Sequence, residues 1–243
     1  ITGGGSGLGA ATARSLALNG ANVIILDQNI EAAESVAADI KALAIPCDVS
    51  NPDSVEKAFQ IIQENATTPR ICVNCAGVAP AKRIVSKSGP MPYKDFTKTI
   101  DINLNGTFNI LRLASHLISQ LDPINEDGER GVIINTASVA AYEGQLGQAA
   151  YAASKAGVVG LTLPAARELA RFGIRVNTIA PGLFATSLLL NMPQEVQDGL
   201  IKTMPYPNRL GKPEEYAALV NQIITNPMIN GTTIRLDGAM RMQ

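Results

Sequence analysis

Short apolar runs alternate with helical patterns from one end of this chain to the other, and that alternation leaves few folds open. The strand candidates are Ile1-Thr2, Asn22–Leu26, Ala42–Pro46, Ile71–Cys75, Val132–Thr136, Arg175–Ile179 and Thr233–Leu236. Between them lie helical stretches near Leu8–Asn19, Glu31–Ile40, Pro52–Glu64, Phe96–Leu121, Tyr151–Arg171 and Pro213–Thr225. Strand, helix, strand at this spacing predicts an α/β fold built on one doubly wound parallel sheet of about seven strands, with helices on both faces. The 243 residues suffice for one such domain and its core, so 1–243 reads as a single unit. The first apolar run has only two residues before a glycine run begins. The start of its strand therefore reads as missing, and a targeting peptide is neither visible nor excluded.

Charge and hydropathy remove several function classes. Twenty Lys and Arg stand against 21 Asp and Glu, and no basic cluster exceeds two residues, which argues against a nucleic-acid backbone as partner. No apolar stretch approaches the ~18–20 residues of a membrane span. The three cysteines, Cys47, Cys72 and Cys75, fit a reducing compartment better than an oxidised scaffold. Cys72-Val-Asn-Cys75 has the C-x-x-C form of redox and zinc sites. It lies in an apolar run that reads as a buried strand, where residues three apart face opposite sides roughly 10 Å apart. A disulfide wants Cα atoms within about 7 Å. Zinc needs further ligands than the single histidine, His116, readily supplies. No metal site is expected, and the cysteines read as core residues. A serine hydrolase would need a base beside its nucleophile, and His116, within the periodic run Leu111–Leu121, reads as a surface or packed residue.

Thr2-Gly-Gly-Gly-Ser-Gly-Leu-Gly9 follows the first strand and opens a helix. Glycines let the backbone turn tightly and approach a pyrophosphate, and the helix N-terminus offers free N–H groups to it. Alone this is a weak signal, because tight turns need glycine anyway. It has a partner in Asp27, which ends the next strand 18 residues after Gly9. A carboxylate there can accept both ribose hydroxyls of NAD and repel a 2′-phosphate, and its neighbours Leu26 and Gln28 carry no positive charge. The pair predicts a Rossmann-type NAD site.

A second constellation begins where Val132–Thr136 ends. Ser138 follows that strand, Tyr151 comes 13 residues later, and Lys155 stands four further on. Residues i and i+4 share a helix face, so the ammonium can lie near the phenol. A phenol titrates near ~10. A nearby cation favours the phenolate, and lowering the pKa by ~2–3 units needs about 3–4 kcal/mol. Ser138 would hold a substrate oxygen against Tyr151. Each residue is commonplace by itself; the set is not.

Thr2-Gly-x-x-x-Gly7-x-Gly9, Asn74-Cys-Ala-Gly77, Asn103, Ser138, Tyr151-x-x-x-Lys155 and Pro181-Gly182 together resemble the signature of the short-chain dehydrogenases/reductases, over the whole chain. The resemblance implies that Tyr151 is the acid/base, that Lys155 binds the nicotinamide ribose and lowers the phenol pKa, and that Ser138 orients substrate. It implies that Asn103 holds a water joining Lys155 to solvent. The implied cofactor contacts are Gly3, Ser6, Gly7, Leu8, Gly9, Asp27, Asp48 and Val49, then Asn74, Ala76, Gly77, Tyr151, Lys155, Pro181 and Thr186. Cys75 replaces the frequent second asparagine of Asn-Asn-Ala-Gly.

Within that family the chain is most similar to the type II 3-hydroxyacyl-CoA dehydrogenases, also described as type 10 17β-hydroxysteroid dehydrogenases. Gly131–Gln145, Gly147–Tyr151, Ile179–Phe184 and Ile234–Gln243 carry this likeness, with extra length at Pro80–Pro92 and Asp122–Arg130. It implies an NAD-dependent homotetramer in fatty acid metabolism, interconverting 3-hydroxyacyl-CoA and 3-ketoacyl-CoA. Gln148 would lie beside the substrate carbonyl, or else be a polar residue near a helix start. The apolar segment 183–211, with Leu188-Leu-Leu-Asn-Met192, would be the substrate lid. Acyl chains and steroids suit it equally, so a broad alcohol or hydroxysteroid dehydrogenase and a 3-ketoacyl reductase stay open, as does a catalytically idle NAD-binding scaffold. The compartment expected is the bacterial cytoplasm, or the mitochondrion if the source is eukaryotic. Phe96–Leu121 and Tyr151–Arg171 would form the tetramer's helix pairs, with Gly157 and Gly160 allowing close approach and Pro164 bending the second helix; packing on the sheet explains the glycines too.

Overall fold

The computed structural model describes residues 1–65 and 68–242, with the side chain of Leu188 outside that description. In chain order the elements begin α1 (Gly7–Leu18), β1 (Ile24–Asp27), α2 (Ile30–Ile40), β2 (Leu43–Pro46), α3 (Pro52–Asn65) and β3 (Ile71–Asn74). A small hairpin, β4 (Val85–Ser86) and β5 (Gly89–Pro90), precedes α4 (Tyr93–Ile100) and α5 (Gly106–Ser119). Then come β6 (Gly131–Thr136), α6 (Ala149–Leu169), β7 (Ile174–Pro181), α7 (Ser187–Leu190), α8 (Gln194–Ile201), α9 (Pro213–Thr225) and β8 (Thr233–Leu236).

Thr2 bridges Leu26 on one side and Asn74 on the other, so the short first strand sits at the centre of the sheet. The order is β2-β1-Thr2-β3-β6-β7-β8, all parallel. Strands after Thr2 run outward in both directions, which opens a crevice at their carboxyl ends. The sheet's period of two sorts its side chains. Ile133 packs under α3, α5 and α6, while Val132 and Ile134 pack under α9 with Val73 and Ile179. Helices α1 and α2 cover Val23 and Ile25.

One expected element comes out differently. Phe96–Leu121 is not one helix: α4 and α5 are joined by a π-helical turn over Asp101–Asn105, which places Asn103 on an irregularity. The segment 183–211 contains α7 and α8. A Cβ on Gly157 would lie 2.6 Å from Leu104 of the π-helical turn, so this glycine serves close packing within the chain. Gly160 faces open space. Pro164 lies inside α6, which continues to Leu169.

The far end of β7 is tied to α9 by Arg175. Its guanidinium donates to the carbonyls of Ile223 (2.7 Å) and Ile224 (2.9 Å) in the last turn of α9 and of Ile229 (2.9 Å) beyond it, and pairs with Glu129 at 2.9 Å. Removing the cation strands a nearly buried carboxylate and several carbonyls. Arg175→Met is expected to lower stability by about 3–5 kcal/mol, read as the unfolding free energy in urea. A loss below about 1 kcal/mol would show the network to be dispensable.

Candidate active site

Two adjoining clefts open at the carboxyl ends of the central strands, of about 290 Å³ and about 200 Å³. Leu8, Cys75, Gly77, Val78 and Thr186 line both, so they form one crevice.

The larger cleft holds the glycine loop and both acids. Gly3 and Gly7 take positive φ values of 63° and 50°, open to glycine and strained for other residues. A Cβ on Gly9 would lie 2.2 Å from the Gly3 carbonyl, so α1 can start this close to the loop only without one. Ser6 occupies the N-cap of α1 with its hydroxyl not used as a cap. Asp27 is held by two backbone donors, Gly5 N–H at 2.9 Å and Asn29 N–H at 2.9 Å. Asp48 and Val49 face the same space, and among the residues lining it there is no lysine or arginine. The sequence-predicted Gly3, Ser6, Gly7, Leu8, Gly9, Asp27, Ala76 and Gly77 all meet here.

Ser138, Tyr151, Lys155, Gln148 and Pro181 come together in the smaller cleft. The end of β6 carries Ser138, whose Oγ accepts from Ala140 N–H at 3.1 Å and so starts a 3-10 turn. Tyr151 and Lys155 share a face of α6, with the Lys155 Nζ 5.9 Å from the phenol ring centre. That ammonium donates to the Thr136 carbonyl at 2.8 Å. Burial depresses the Lys155 pKa to about 8. Burial also pushes the Tyr151 phenol up, against a smaller opposing effect of its hydrogen bond with Ser138. The lowered phenol pKa expected from the spacing is thus not a property of the protein by itself. The ammonium is held to Thr136, and desolvation of the ring dominates.

Asn74 and Asn103 line neither cleft. Asn74 is a buried tie, donating to Asn135 Oδ1 at 2.9 Å. Asn103 grips the cleft wall: its Oδ1 accepts from Val78 N–H at 2.8 Å, and its Nδ2 donates to the Val78 carbonyl at 2.9 Å and to Ser154 Oγ at 3.0 Å. Gln148 turns its Oε1 to Gln145 N–H at 2.9 Å, shaping the loop before α6. Sequence reasoning missed Thr136, Ser154, Tyr216 and Met242. Tyr216 Oη lies 2.7 Å from Thr136 Oγ1 across 80 positions, a contact for which the sequence carries no local signal. Cys47, Cys72 and Cys75 are free thiols, and burial pushes Cys47 and Cys72 up to about 11, which makes them unreactive.

A family model described as enoyl-(acyl carrier protein) reductase matches residues 3–240. A 3-hydroxyacyl-CoA dehydrogenase type-2 from Bos taurus is 50% identical over 247 residues, covering 100% of this chain and 94% of that protein. The chain belongs to the short-chain dehydrogenase/reductase family. A 3-hydroxyacyl-CoA dehydrogenase type-2 from Drosophila melanogaster is 48% identical over 246 residues, covering 100% and 96%. The crystal structure of 3-hydroxyacyl-CoA dehydrogenase type-2 from Mycobacterium avium superposes with a TM-score of 0.92 at 44% identity, covering 100% of this chain and 94% of that one. The chain is therefore an oxidoreductase of this short-chain family. Among the described residues, no helix is long and apolar enough to cross a membrane.

The pKa of Lys155 makes a stability prediction. Between about 8 and its usual 10.5, the unfolded chain carries a proton that the folded chain lacks. The residue's contribution to stability must therefore rise with pH in that window. The unfolding free energy of wild type relative to Lys155→Met should shift toward wild type by about 3 kcal/mol as pH goes from about 8 to about 10.5. The difference between the two proteins cancels the thiols, which titrate in the opposite sense. Urea titrations of both proteins that give a pH-independent difference would refute the desolvated ammonium.

Proposed function

We propose that this chain is an NAD-dependent dehydrogenase interconverting 3-hydroxyacyl-CoA and 3-ketoacyl-CoA. The observation that carries the proposal is the placement of Ser138, Tyr151 and Lys155 on one wall of a cleft continuous with the glycine loop and Asp27. The names of the full-length relatives direct it to acyl-CoA substrates.

The residues fit the cofactor. The pyrophosphate would take the N-terminus of α1 and the unused Ser6 hydroxyl, where backbone N–H groups and the helix dipole favour an anion. Asp27, oriented by Gly5 and Asn29, would accept the ribose hydroxyls, and the absence of cationic residues among those lining this cleft supports NAD over its 2′-phosphorylated form. Asp48 and Val49 would border the adenine, and Thr186 and Pro181 the nicotinamide end. When bound, NAD supplies the two-electron acceptor for the alcohol carbon.

The chain's own residues then manage a proton and an oxygen. Ser138 Oγ donates a hydrogen bond to the substrate oxygen. Tyr151 takes the hydroxyl proton during oxidation and returns it to the carbonyl oxygen during reduction. Because burial raises the phenol, the phenolate needs a cation beside it, and Lys155 is the positive charge nearest at hand. Asn103 fixes Val78 in the cleft wall, and Gln148 borders the substrate. The segment 183–211 would act as the lid, its Leu183, Phe184 and Leu189 giving the cleft an apolar wall. A homotetramer is favoured by exposed apolar residues on the paired helices, with Phe108 of α5 at 49% and Leu163 of α6 at 44% exposure. Free thiols suit a reducing compartment, either cytoplasm or mitochondrial matrix.

Two measurements test the reading. Purified protein should oxidise NADH with acetoacetyl-CoA and prefer it to NADPH, and Tyr151→Phe should lose roughly 10²–10⁴-fold in kcat. Activity with NADPH alone would overturn the role of Asp27, and no turnover with either cofactor would redirect the search to alcohols and steroids. Oxidation needs the phenolate and reduction the phenol. The kcat/KM of the hydroxy substrate should therefore climb with pH through one ionisation in wild type; residual Tyr151→Phe activity that keeps the same ionisation would remove Tyr151 from the proton transfer.

A further inference from the structure

We propose that the C-terminal segment Asp237–Met242 is a strap that closes the far side of the substrate cleft, with Met242 as a chain-length-determining wall and Glu143 as the positioning residue that holds it there. The inference rests on the acyl-CoA reading above and deepens it.

The segment is held by side-chain hydrogen bonds along its length. Glu143, five positions past Ser138, takes a two-pronged hydrogen bond from Arg235 of β8 at 2.9 and 3.1 Å. The same carboxylate accepts the backbone N–H of Met242 at 3.2 Å. Arg235 also donates to Asp237 at 2.6 Å and to the Met240 carbonyl at 3.0 Å, so one guanidinium spans both ends of the turn. Ala239, inside that turn, takes a φ of 63°, a conformation that a non-glycine residue keeps only where its surroundings impose it. Asp237 Oδ1 does so by accepting Ala239 N–H at 3.0 Å.

The strap is aimed. Met240 is 1% exposed, packed with Val139 from the segment after β6 and with Leu183, Leu189 and Met204 from the lid segment. Two residues on, Met242 reaches the lining of the cleft that holds Ser138 and Tyr151. Leu189, Met192 and Met242 give the cleft that holds those two hydroxyls an apolar wall, which suits the alkyl end of a ketone substrate. Nothing in the proton transfer uses Glu143, Arg235 or Asp237. Their network makes sense as a device that turns a flexible, polarisable methionine into a fixed boundary.

The test compares wild type with Met242→Ala, Met242→Phe and Glu143→Gln, each as the full chain, using NADH with acetoacetyl-CoA and with 3-ketodecanoyl-CoA. The quantity read is the ratio of kcat/KM for the long substrate to that for the short one. Phe should lower the ratio roughly tenfold and Ala should raise it, as expected for methylene-sized changes in an apolar pocket. Glu143→Gln keeps the side-chain shape and weakens the charged fork. It should move the ratio in the direction of Ala, mainly through KM of the long substrate. A ratio unmoved in all three variants, even with both activities reduced together, would overturn the strap as a determinant of length. If wild type turns over neither thioester, the acyl-CoA reading fails instead. The same ratio is then read with NAD on 2-butanol and 2-decanol, where a flat result overturns the strap and a shifted one supports it.

Discussion

A lysine ammonium buried without a carboxylate partner is the constraint on which the rest of the site turns. Lys155 is 5% exposed, and among the described residues it takes part in no ion pair. Taking a cation out of water is costly, and the depressed pKa expresses that cost. The Thr136 carbonyl is its hydrogen-bonded anchor, so the end of β6 has to be held firmly. It is held from both faces of the sheet: Lys155 reaches the carbonyl from α6, and Tyr216 of α9, wholly buried, meets the Thr136 hydroxyl from the other side. A carboxylate beside Lys155 would relieve the cost and would also neutralise its charge.

The wall opposite is kept in place by an irregular helix. The π-helical turn at Asp101–Asn105 interrupts what would otherwise be one long helix, and Asn103 of that turn clamps both backbone groups of Val78. Such turns are less stable than regular helix and persist where surrounding contacts reward them. Here Leu104 of the same turn fits against Gly157 of α6, so the irregularity and the helix carrying Tyr151 and Lys155 are packed as a pair.

Charge is divided along the crevice. Asp27 and Asp48 line one part of it, Lys155 lies in the adjoining cleft, and Leu183, Phe184, Leu189, Met192 and Met242 give that cleft an apolar wall. That gradient matches a ligand with hydroxyls at one end, a developing negative oxygen at the centre and a hydrocarbon tail beyond. A single crevice can present all three because parallel strands deliver their carboxyl ends, and the loops that follow them, to the same edge of the sheet.

The sequence by itself determined the layered α/β architecture, because the two periodicities of apolar residues dictate which segments are strands and which are helices. It also determined the glycine loop, Asp27, and the Ser138, Tyr151 and Lys155 set, because those groups sit at fixed offsets within single elements or directly after strands. Tertiary structure decided the rest. Asn103 was legible as a candidate, yet its grip on Val78 was not, and neither was the break in the helix that carries it. The anchoring of Lys155 by Thr136, the contact of Tyr216 with β6 and the tie between Glu143 and Arg235, 92 positions apart, join residues whose neighbourhood depends on how β6, α9 and β8 stack. Local spacing carries no record of such contacts, since they arise only when the sheet brings distant strand ends together. The raised phenol of Tyr151 has the same origin: proximity to a cation can be read from a four-residue spacing, whereas the desolvation that raises the phenol is created by the closed fold.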